Sequence, residues 1–341
     1  MHSTNILITG GAGYIGASCA YYFLKDTLAN VFIIDDFSTG YIENIKALDR
    51  YKDRIKLYTS SMGDRNTIET IFSYGIDCIL HYAGSLSVSE STEIPIKYYK
   101  NNVINMITLL EMCDKYKIPK FIFSSSATIY GEPLYIPIDE SHQIAPINPY
   151  GNTKQIGEKL LNDYANSTNS FKFVSLRYFN VAGSLIDSGI NIGQRGVATH
   201  LIKIASQCAI GHKEEIDIFG DDYNTKDGTC IRDYISIQDL SLAHIKAYEY
   251  LKNGGESDAF NVGYGYGYSV KEILDITKKV SSTNFAYNIK PRRNGDPSIL
   301  IANNTKIREK MGWEAKFNNI EDIIKSAYRF EEMLNNNCSK L

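Results

Sequence analysis

The sequence lacks paired cysteines, long apolar runs and an excess of charge of either sign. The formal net charge of its 341 residues is −3, so no overall field would attract nucleic acid or an anionic membrane, and an anionic ligand needs a few local cations. No run approaches the ~20 apolar residues that span a bilayer, and the N-terminus lacks the pattern of a secretory signal. We therefore expect a cytoplasmic protein that binds neither nucleic acid nor membrane.

The six cysteines are scattered, with no CxxC pair and no His/Cys cluster at metal-ligand spacing. They are Cys19, Cys78, Cys113, Cys208, Cys230 and Cys338. This pattern indicates reduced thiols and no metal site. With 43% hydrophobic and 22% charged residues, the composition is that of an ordinary soluble protein, long enough for two domains or one large one.

Through the first 180 residues, short β-branched and aromatic runs alternate with longer segments of helical apolar spacing. The runs span 5–9, 31–35, 76–80, 119–125 and 171–177, and the helical segments include 15–24, 67–72 and 104–116. The alternation predicts an α/β fold of the Rossmann type, a doubly wound parallel sheet with helices on both faces. After residue 180, frequent Gly, Asn and Asp residues interrupt this alternation of strands and helices. This change predicts a first domain over 1–180, with a return to it near 233–262, and a smaller mixed α/β C-terminal lobe over 181–341.

The segment ITGGAGYIG places Gly10, Gly13 and Gly16 between the first strand and the first helix. Residues without side chains at this point let a pyrophosphate approach the N-terminus of the helix. The next strand ends in Asp35, whose carboxylate can accept hydrogen bonds from both hydroxyls of an adenosine ribose and would repel a 2′-phosphate. A glycine triplet alone could equally be a structural turn, but followed by Asp35 it favours NAD binding over NADP binding.

The segment NPYGNTK places Tyr150 one helical turn before Lys154, on the same helix face. The lysine ammonium could reach a cofactor ribose and lower the pKa of the phenol, which could then act as a base near neutral pH. Upstream, FIFSSSATIYG ends a strand with three serines, and Ser126 is expected at the ligand-binding edge of the sheet. Any one of these residues alone is more simply structural, but together they point to a catalytic set.

Seven motifs spread along the chain carry a family resemblance. They are TGGAGYIG (9–16), SSSATIYGEP (124–133), NPYGNTK (148–154), LRYFNVAG (176–183), IFGDDYNTKDGTCIRDYI (218–235), FNVGYGYGYSVKEIL (260–274) and PRRNGDP (291–297). In them the sequence resembles the UDP-glucose 4-epimerase family, also called UDP-hexose 4-epimerases, of the extended short-chain dehydrogenases/reductases. The resemblance implies a homodimer, with NAD held tightly in the first domain and a UDP-sugar in the cleft between the lobes.

Carried over position by position, the resemblance assigns three groups of residues. The catalytic set, which also contacts NAD, is Ser126, Tyr150 and Lys154, and the first two of these also contact the substrate. The NAD site adds Gly10, Gly13, Tyr14, Ile15, Gly16, Asp35, Asp36, Ser38, Ser61, Met62, Ala83, Gly84, Asn101 and Phe179. The UDP-sugar site adds Asn180, His200, Leu201, Phe219, Arg232, Arg293, Asp296 and Leu300. The two arginines could hold a pyrophosphate through their forked donors, although Arg232 beside Asp233 would by itself suggest a surface ion pair.

Three positions bear on affinity and specificity. Leu86 lies where the family often has a lysine near the cofactor, and Ser61 lies where it often has an aspartate that binds the adenine amino group. Both departures concern how tightly NAD is held more than the type of reaction. Leu300 lies where a bulky tyrosine restricts family members to UDP-glucose and UDP-galactose, so we expect that an N-acetyl group also fits here.

The resemblance implies inversion of carbon 4 in UDP-hexoses through a 4-keto sugar, for UDP-glucose/UDP-galactose and for UDP-N-acetylglucosamine/UDP-N-acetylgalactosamine. The main alternative is a nucleotide-sugar 4,6-dehydratase. Relatives with that activity usually carry Asp-Glu after the strand-end hydroxyl, whereas this chain has Ala127 and Thr128. A less favoured alternative is a non-catalytic NAD-binding regulator, because such proteins commonly lack the tyrosine or the lysine of the catalytic set.

Overall fold

The computed structural model of the chain describes residues 4–187, 189–293 and 296–338. Its strands are β1 Asn5–Thr9, β2 Asn30–Asp35, β3 Ile55–Thr59, β4 Cys78–His81, β5 Lys120–Ser126, β6 Lys172–Tyr178, β7 Asn180–Ala182, β8 Leu185–Asp187, β9 Ile190–Ile192, β10 Glu215–Phe219, β11 Ile231–Arg232, β12 Tyr234–Ser236, β13 Asp258–Val262, β14 Tyr268–Ser269, β15 Ala286–Lys290 and β16 Ile299–Leu300. Its α-helices are α1 Tyr14–Asp26, α2 Ile42–Lys46, α3 Arg65–Phe72, α4 Val88–Glu93, α5 Pro95–Tyr98, α6 Asn105–Tyr116, α7 Pro149–Ser167, α8 Leu201–Ala209, α9 Ile237–Lys252, α10 Val270–Ser281, α11 Thr305–Met311 and α12 Ile320–Cys338. Turns of 3₁₀ helix cover Asp49–Arg54 and Ala127–Tyr130, and a π-helical turn covers Tyr99–Ile104.

Seven strands form a parallel central sheet in the order β13-β6-β5-β4-β1-β2-β3. Successive side chains of β1 point to opposite faces, so Ile6 and Ile8 enter one core cluster while Leu7 enters another. Helices α1 and α9 cover the first face, and α3, α6 and α7 cover the second. The predicted doubly wound parallel sheet is therefore confirmed.

Two strands of this sheet were not among those that the sequence indicated. Strand β3 is a partly exposed edge strand, so its residues lack the continuous apolar run of a buried strand. Strand β13 belongs to the C-terminal part of the chain but joins the central sheet. It pairs with β6 from Asp258↔Val174 to Val262↔Tyr178. The strand predicted at 76–80 begins two residues later, at Cys78.

Smaller sheets and three packed helices follow the central sheet in the chain. The sheets are the parallel pair β10-β15, the three strands β14-β11-β16, the parallel pair β12-β7 and the hairpin β8-β9. Helices α8, α10 and α12 pack on one another. Leu300 of β16 and Ala302 pack against residues that follow β5 and β6, among them Ala127, Ile138 and Phe179, and Ile138 forms a β-bridge with Ala302.

Within the described residues, no helix is long and apolar enough to cross a membrane. The same residues contain no cluster of His, Cys, Asp or Glu side chains that could hold a metal ion. Five of the cysteines are buried free thiols, and Cys338 lies where side chains are not described.

Candidate active site

Glycines form most of the turn between β1 and α1. Gly10 has φ +69°, and a Cβ there would lie 2.7 Å from the Ala83 amide nitrogen. A Cβ at Gly16 would overlap the Gly10 carbonyl oxygen. Gly13 is the N-cap of α1, and no side chain caps the helix, so the amide groups of its first turn remain available. This turn fits a bound pyrophosphate, which a helix N-terminus attracts.

Asp35 ends β2 beside this turn. Its two carboxylate oxygens accept hydrogen bonds from the amides of Ala12 (2.9 Å) and Phe37 (2.8 Å). Burial raises the pKa of Asp35, and these two amide hydrogen bonds oppose that effect. The carboxylate is thus held in a fixed orientation with acceptor positions left over, as binding of an adenosine ribose would require.

The other residues predicted for the cofactor lie in α1, in the π-helical turn and in the segments that follow the strands of the sheet. Asp36 accepts a hydrogen bond from the Ser38 amide, and the Ser61 hydroxyl accepts one from the Gly63 amide. Met62 and Phe179 are buried, Ile15 packs on the core, Ala83 and Gly84 directly follow β4, and the Asn101 amide donates to the Ser85 hydroxyl. The Tyr14 hydroxyl donates instead to the Gly183 carbonyl (2.6 Å), so it joins α1 to the end of β7.

Ser126 and Tyr150 come together where β5 ends and α7 begins. The Ser126 hydroxyl accepts hydrogen bonds from the amide and the hydroxyl of Thr128, at 3.2 and 3.0 Å, and it hydrogen-bonds the Tyr150 phenol. Helix α7 starts at Pro149 behind the N-cap Asn148, whose side chain accepts from the Gly151 amide. The cap and the proline fix the first turn of the helix, and therefore the place of Tyr150.

Lys154 lies one turn further along α7 and is buried. Its Nζ donates to the Ser124 carbonyl oxygen at 2.7 Å and lies 5.7 Å from the centre of the Tyr150 ring. Burial lowers the pKa of Lys154 to about 8, while the nearby Glu158 carboxylate raises it.

Tyr150 differs from the sequence-based expectation of a lowered phenol pKa. Burial raises the pKa of Tyr150 to about 12, and the hydrogen bond with Ser126 opposes that rise. The physical reason is that Lys154 Nζ points to the Ser124 carbonyl rather than to the phenol oxygen, while the phenol loses hydration in the cleft.

Arg232 and Asp296 form an ion pair beside the cleft. Arg232 Nη2 donates to Asp296 Oδ1, and Nη1 donates to the Ile231 carbonyl at 2.8 Å. The arginine is 8% exposed. The sequence predicts that Arg232 and Asp296 contact the nucleotide sugar. The fold brings them together although they are 64 residues apart in the sequence.

Leu300 lies in the strand next to Arg232. Strands β11 and β16 are parallel, with Arg232 opposite Leu300 in the register. Leu300 packs against a buried cluster that contains Ala127 and Phe179, which are neighbours of Ser126 and of Asn180 in the chain. Leu300 therefore packs against residues that adjoin two of the predicted substrate contacts.

The remaining residues predicted for the UDP-sugar fall in two places. Arg293 is exposed, and its guanidinium carbon lies 3.8 Å from the centre of the Phe219 ring. Asn180, His200 and Leu201 line one cavity beside α8. Leu86, at the position of the missing lysine, is 55% exposed.

Glu158, one helical turn beyond Lys154, is a further residue beside the site and belongs to none of the motifs described above. Its carboxylate accepts hydrogen bonds from Ser125 and from Arg177. The spacing Tyr150, Lys154, Glu158 puts all three on one face of α7, which is the signal that could have identified it. Its contacts with β5 and β6 could not be read from that spacing.

Comparisons with known proteins extend over both parts of the chain. A family model described as GDP-mannose 4,6 dehydratase matches residues 7–327. The UDP-glucose 4-epimerase of Halalkalibacterium halodurans is 40% identical over 329 residues, which cover 96% of this chain and 95% of that protein.

Two solved structures are similar over nearly all of their length. The UDP-Glc/GlcNAc 4-epimerase of Campylobacter jejuni is 44% identical, with a TM-score of 0.85 over 97% of this chain and 100% of that one. The UDP-glucose 4-epimerase of Bifidobacterium longum, in complex with NAD+ and UDP, is 33% identical, with a TM-score of 0.90 over 98% of this chain and 99% of that one. The similarity is thus not confined to the glycine-rich turn.

Proposed function

We propose that this chain, which belongs to the UDP-glucose 4-epimerase family of extended short-chain dehydrogenases/reductases, inverts carbon 4 of UDP-hexoses with NAD as a tightly bound cofactor. The observation that carries the proposal is the meeting of Tyr150, Ser126 and Lys154 at one edge of the sheet. The glycine-rich turn and Asp35 lie at the same edge. The Tyr150 phenol, the Ser126 hydroxyl and the Lys154 ammonium therefore lie at the edge of the sheet where the glycine-rich turn and Asp35 would hold a dinucleotide.

NAD, which the glycine-rich turn and Asp35 would hold, would supply the hydride acceptor and donor that oxidation and re-reduction of carbon 4 require. Tyr150 takes the proton from the 4-hydroxyl, and Ser126 hydrogen-bonds the same oxygen and stabilises the phenolate. The Lys154 ammonium, held by the Ser124 carbonyl, adds a positive charge that favours the phenolate further. The sugar becomes a 4-keto sugar and then returns to an alcohol, so there is no net oxidation.

Inversion requires that the nucleotide stays bound while the sugar turns. Arg232 and Arg293 are proposed to hold the pyrophosphate, because a guanidinium donates two parallel hydrogen bonds to phosphate oxygens. For Arg232, the ion pair with Asp296 fixes the guanidinium beside the cleft. With the nucleotide anchored, the keto-sugar can rotate about its phosphate linkage and present its other face.

The proposed substrates include the N-acetylated pair as well as UDP-glucose and UDP-galactose. Leucine at position 300 is smaller than tyrosine and has no hydroxyl, so it leaves room for an N-acetyl group. In support, the Campylobacter jejuni protein, which is 44% identical, is a UDP-Glc/GlcNAc 4-epimerase.

The test is to incubate the purified protein with UDP-glucose, without added NAD, and to identify the product by NMR. Epimerisation predicts UDP-galactose at equilibrium with UDP-glucose. A 4,6-dehydratase would give a 4-keto-6-deoxy sugar, and a non-catalytic regulator would leave UDP-glucose unchanged. Activity that depends strictly on added NAD would refute tight cofactor retention while leaving the reaction itself supported.

A further inference from the structure

A buried ion pair lies directly behind Lys154, and the proposed mechanism does not use it. Glu158 is one turn beyond Lys154 on α7, and Arg177 lies on β6. The guanidinium donates to both carboxylate oxygens, with Nη2 to Oε2 at 2.6 Å and Nε to Oε1 at 3.0 Å. The side chains are 11% and 5% exposed. This two-point contact fixes the position of the carboxylate.

The same pair is joined to the strand that carries Ser126. The Ser125 hydroxyl donates to Glu158 Oε1 at 2.5 Å. Ser125 stands between Ser126 and Ser124, whose carbonyl accepts the Lys154 hydrogen bond. The Glu158 carboxylate is therefore hydrogen-bonded to the end of β5. The same strand end carries Ser126 and the Ser124 carbonyl that Lys154 contacts.

On its far side, Arg177 is anchored to the turn that follows Ser126. Its Nη1 donates to the Tyr130 hydroxyl at 2.9 Å, and that hydroxyl donates to the Asn261 side chain at 2.7 Å. Tyr130 and Asn261 are both fully buried. The guanidinium is thus held in place from two directions.

The groups that face Lys154 come from three elements. From α7 come Tyr150 and Glu158, and from β4 comes His81. Strand β5 contributes the Phe123 ring, whose centre is 5.0 Å from Nζ, and the Ser124 carbonyl.

His81 does not add a second cation at neutral pH. Burial and, to a lesser extent, the Lys154 charge lower the pKa of His81 to about 3. Burial likewise lowers the pKa of Lys154, and Glu158 opposes that effect. Among the groups that face Lys154, Glu158 is thus the anion that favours its ammonium form.

We propose that Glu158 is a positioning residue that keeps the Lys154 ammonium charged in the working pH range, and that Arg177 holds the Glu158 carboxylate in place for this task. The inference rests on the proposed function, because it assigns Lys154 its catalytic role. It adds a buried ion pair to the residues on which the reaction depends, although the pair touches neither cofactor nor substrate.

The decisive variant is Glu158→Gln, which keeps the shape and removes the charge. Without the carboxylate, Lys154 loses its proton at lower pH, so the alkaline limb of the kcat/KM profile should move down by about 0.5–1 pH unit. In a Lys154→Arg background the same change should not move the limb, because arginine does not deprotonate. Ser125→Ala and Tyr130→Phe are matched controls that each remove one hydrogen bond without removing a charge, and they should leave the limb in place.

A readout without activity separates this inference from the proposed function. The ¹³C resonance of the Lys154 Cε, assigned by its loss in Lys154→Arg, reports the lysine titration directly. A lower midpoint in Glu158→Gln supports the inference, and an unchanged midpoint overturns it, whether or not UDP-glucose is epimerised.

If Glu158→Gln does not fold, the variant that carries both Glu158→Gln and Arg177→Gln replaces it, because removing both charges leaves no buried charge unpaired. Of this pair, Glu158 is the member whose charge acts on the pKa of Lys154, so the midpoint should still fall. A midpoint equal to that of wild type would again overturn the inference.

Discussion

The half-buried surroundings of Tyr150 favour its protonated phenol over the phenolate. Burial raises the pKa of Tyr150 to about 12, so the phenolate needs both the Ser126 hydrogen bond and the Lys154 charge. We predict that Tyr150→Phe folds and binds UDP as wild type does, but that its turnover of UDP-glucose falls by roughly 10²–10⁴-fold, the contribution of a positioned acid–base group. Turnover within about threefold of wild type, measured by the NMR product assay, would remove Tyr150 from this role.

Leu300 is the residue proposed to limit the size of the sugar's 2-substituent. We predict that Leu300→Tyr lowers kcat/KM for the N-acetylated pair by roughly 10–100-fold and has a much smaller effect on UDP-glucose and UDP-galactose, because the added ring excludes the larger 2-substituent. Leu300→Met, which nearly conserves volume, is the control and should keep both pairs. If both pairs fall equally in the tyrosine variant, or if wild type ignores the N-acetylated sugars, Leu300 does not control substrate size.

For single residues, the sequence predicts the proximity of two side chains on one helix or strand better than a contact between side chains of different elements. The spacing of Tyr150 and Lys154 on one helix puts them on one face whatever the rest of the fold does. The Lys154 contact with the Ser124 carbonyl depends on how α7 lies on β5. That placement is decided by packing, so the direction of the Tyr150 pKa could not be obtained from spacing alone.

Helix α10 carries a complete capping box. The Ser269 side chain accepts from the Glu272 amide, the Glu272 side chain accepts from the Ser269 amide, and the Ser269 hydroxyl also donates to Asp227. We predict that Ser269→Ala lowers the free energy of unfolding by about 1–2 kcal/mol. Ser87→Ala is the matched control at the exposed six-residue helix α4. Urea unfolding of the two variants should show the larger loss at Ser269, and equal losses would contradict the prediction.

Elements buried on both faces were predictable because apolar runs of β-branched and aromatic residues leave few alternatives. Strands β1, β2, β5 and β6 follow the predicted runs within one residue at each end. The edge strands β3 and β13 were not predicted. Strand β3 is partly exposed, with charged and polar residues between its apolar ones, and the sequence DAFNV of β13 has no run of β-branched and aromatic residues.

For the whole molecule, two buried histidines make stability depend on pH. Burial lowers the pKa of His81 to about 3 and that of His244 to about 4. Both folded values lie below the unfolded value near 6.5, so stability is fully present above pH 6.5 and is lost as pH falls toward the folded values. Each histidine should subtract about 2 kcal/mol at pH 5.

Buried carboxyls act in the opposite sense. Burial raises the pKa of Asp35, and it raises that of Asp233 to about 6, so Asp233 restores part of the loss below pH 6. Chemical unfolding at pH 7 and pH 5 measures the sum. His244→Gln should lose less stability on acidification than wild type. His212→Gln, at an exposed position, should lose as much as wild type, and the same loss in both variants would contradict the assignment.

The family resemblance that implies a homodimer also implies its interface, in helices of the first domain near residues 97–117 and 150–166. Apolar side chains are exposed in the first of these ranges, with Ile104 at 54% and Ile107 at 39%. We predict a dimer by light scattering, and a monomer for Ile104→Asp, because a buried unpaired carboxylate opposes association. Ile289→Asp, on β15, is the control for another exposed isoleucine, at 43%. A wild-type monomer, or a dimer that survives Ile104→Asp, would contradict this interface.

The parallel pairing of β13 with β6 has a consequence for synthesis on the ribosome. The Phe173 amide, at the start of β6, donates to the Ser257 hydroxyl just before β13, 84 residues further on. At about 5–20 residues per second, the outer edge of β6 in a nascent chain would remain unpaired for about 4–17 s. An open strand edge is a template for pairing with another chain. Translation that stops between residues 178 and 258 would therefore release a polypeptide with six strands of the central sheet, in which β6 takes the place of β13 as one of the two edge strands.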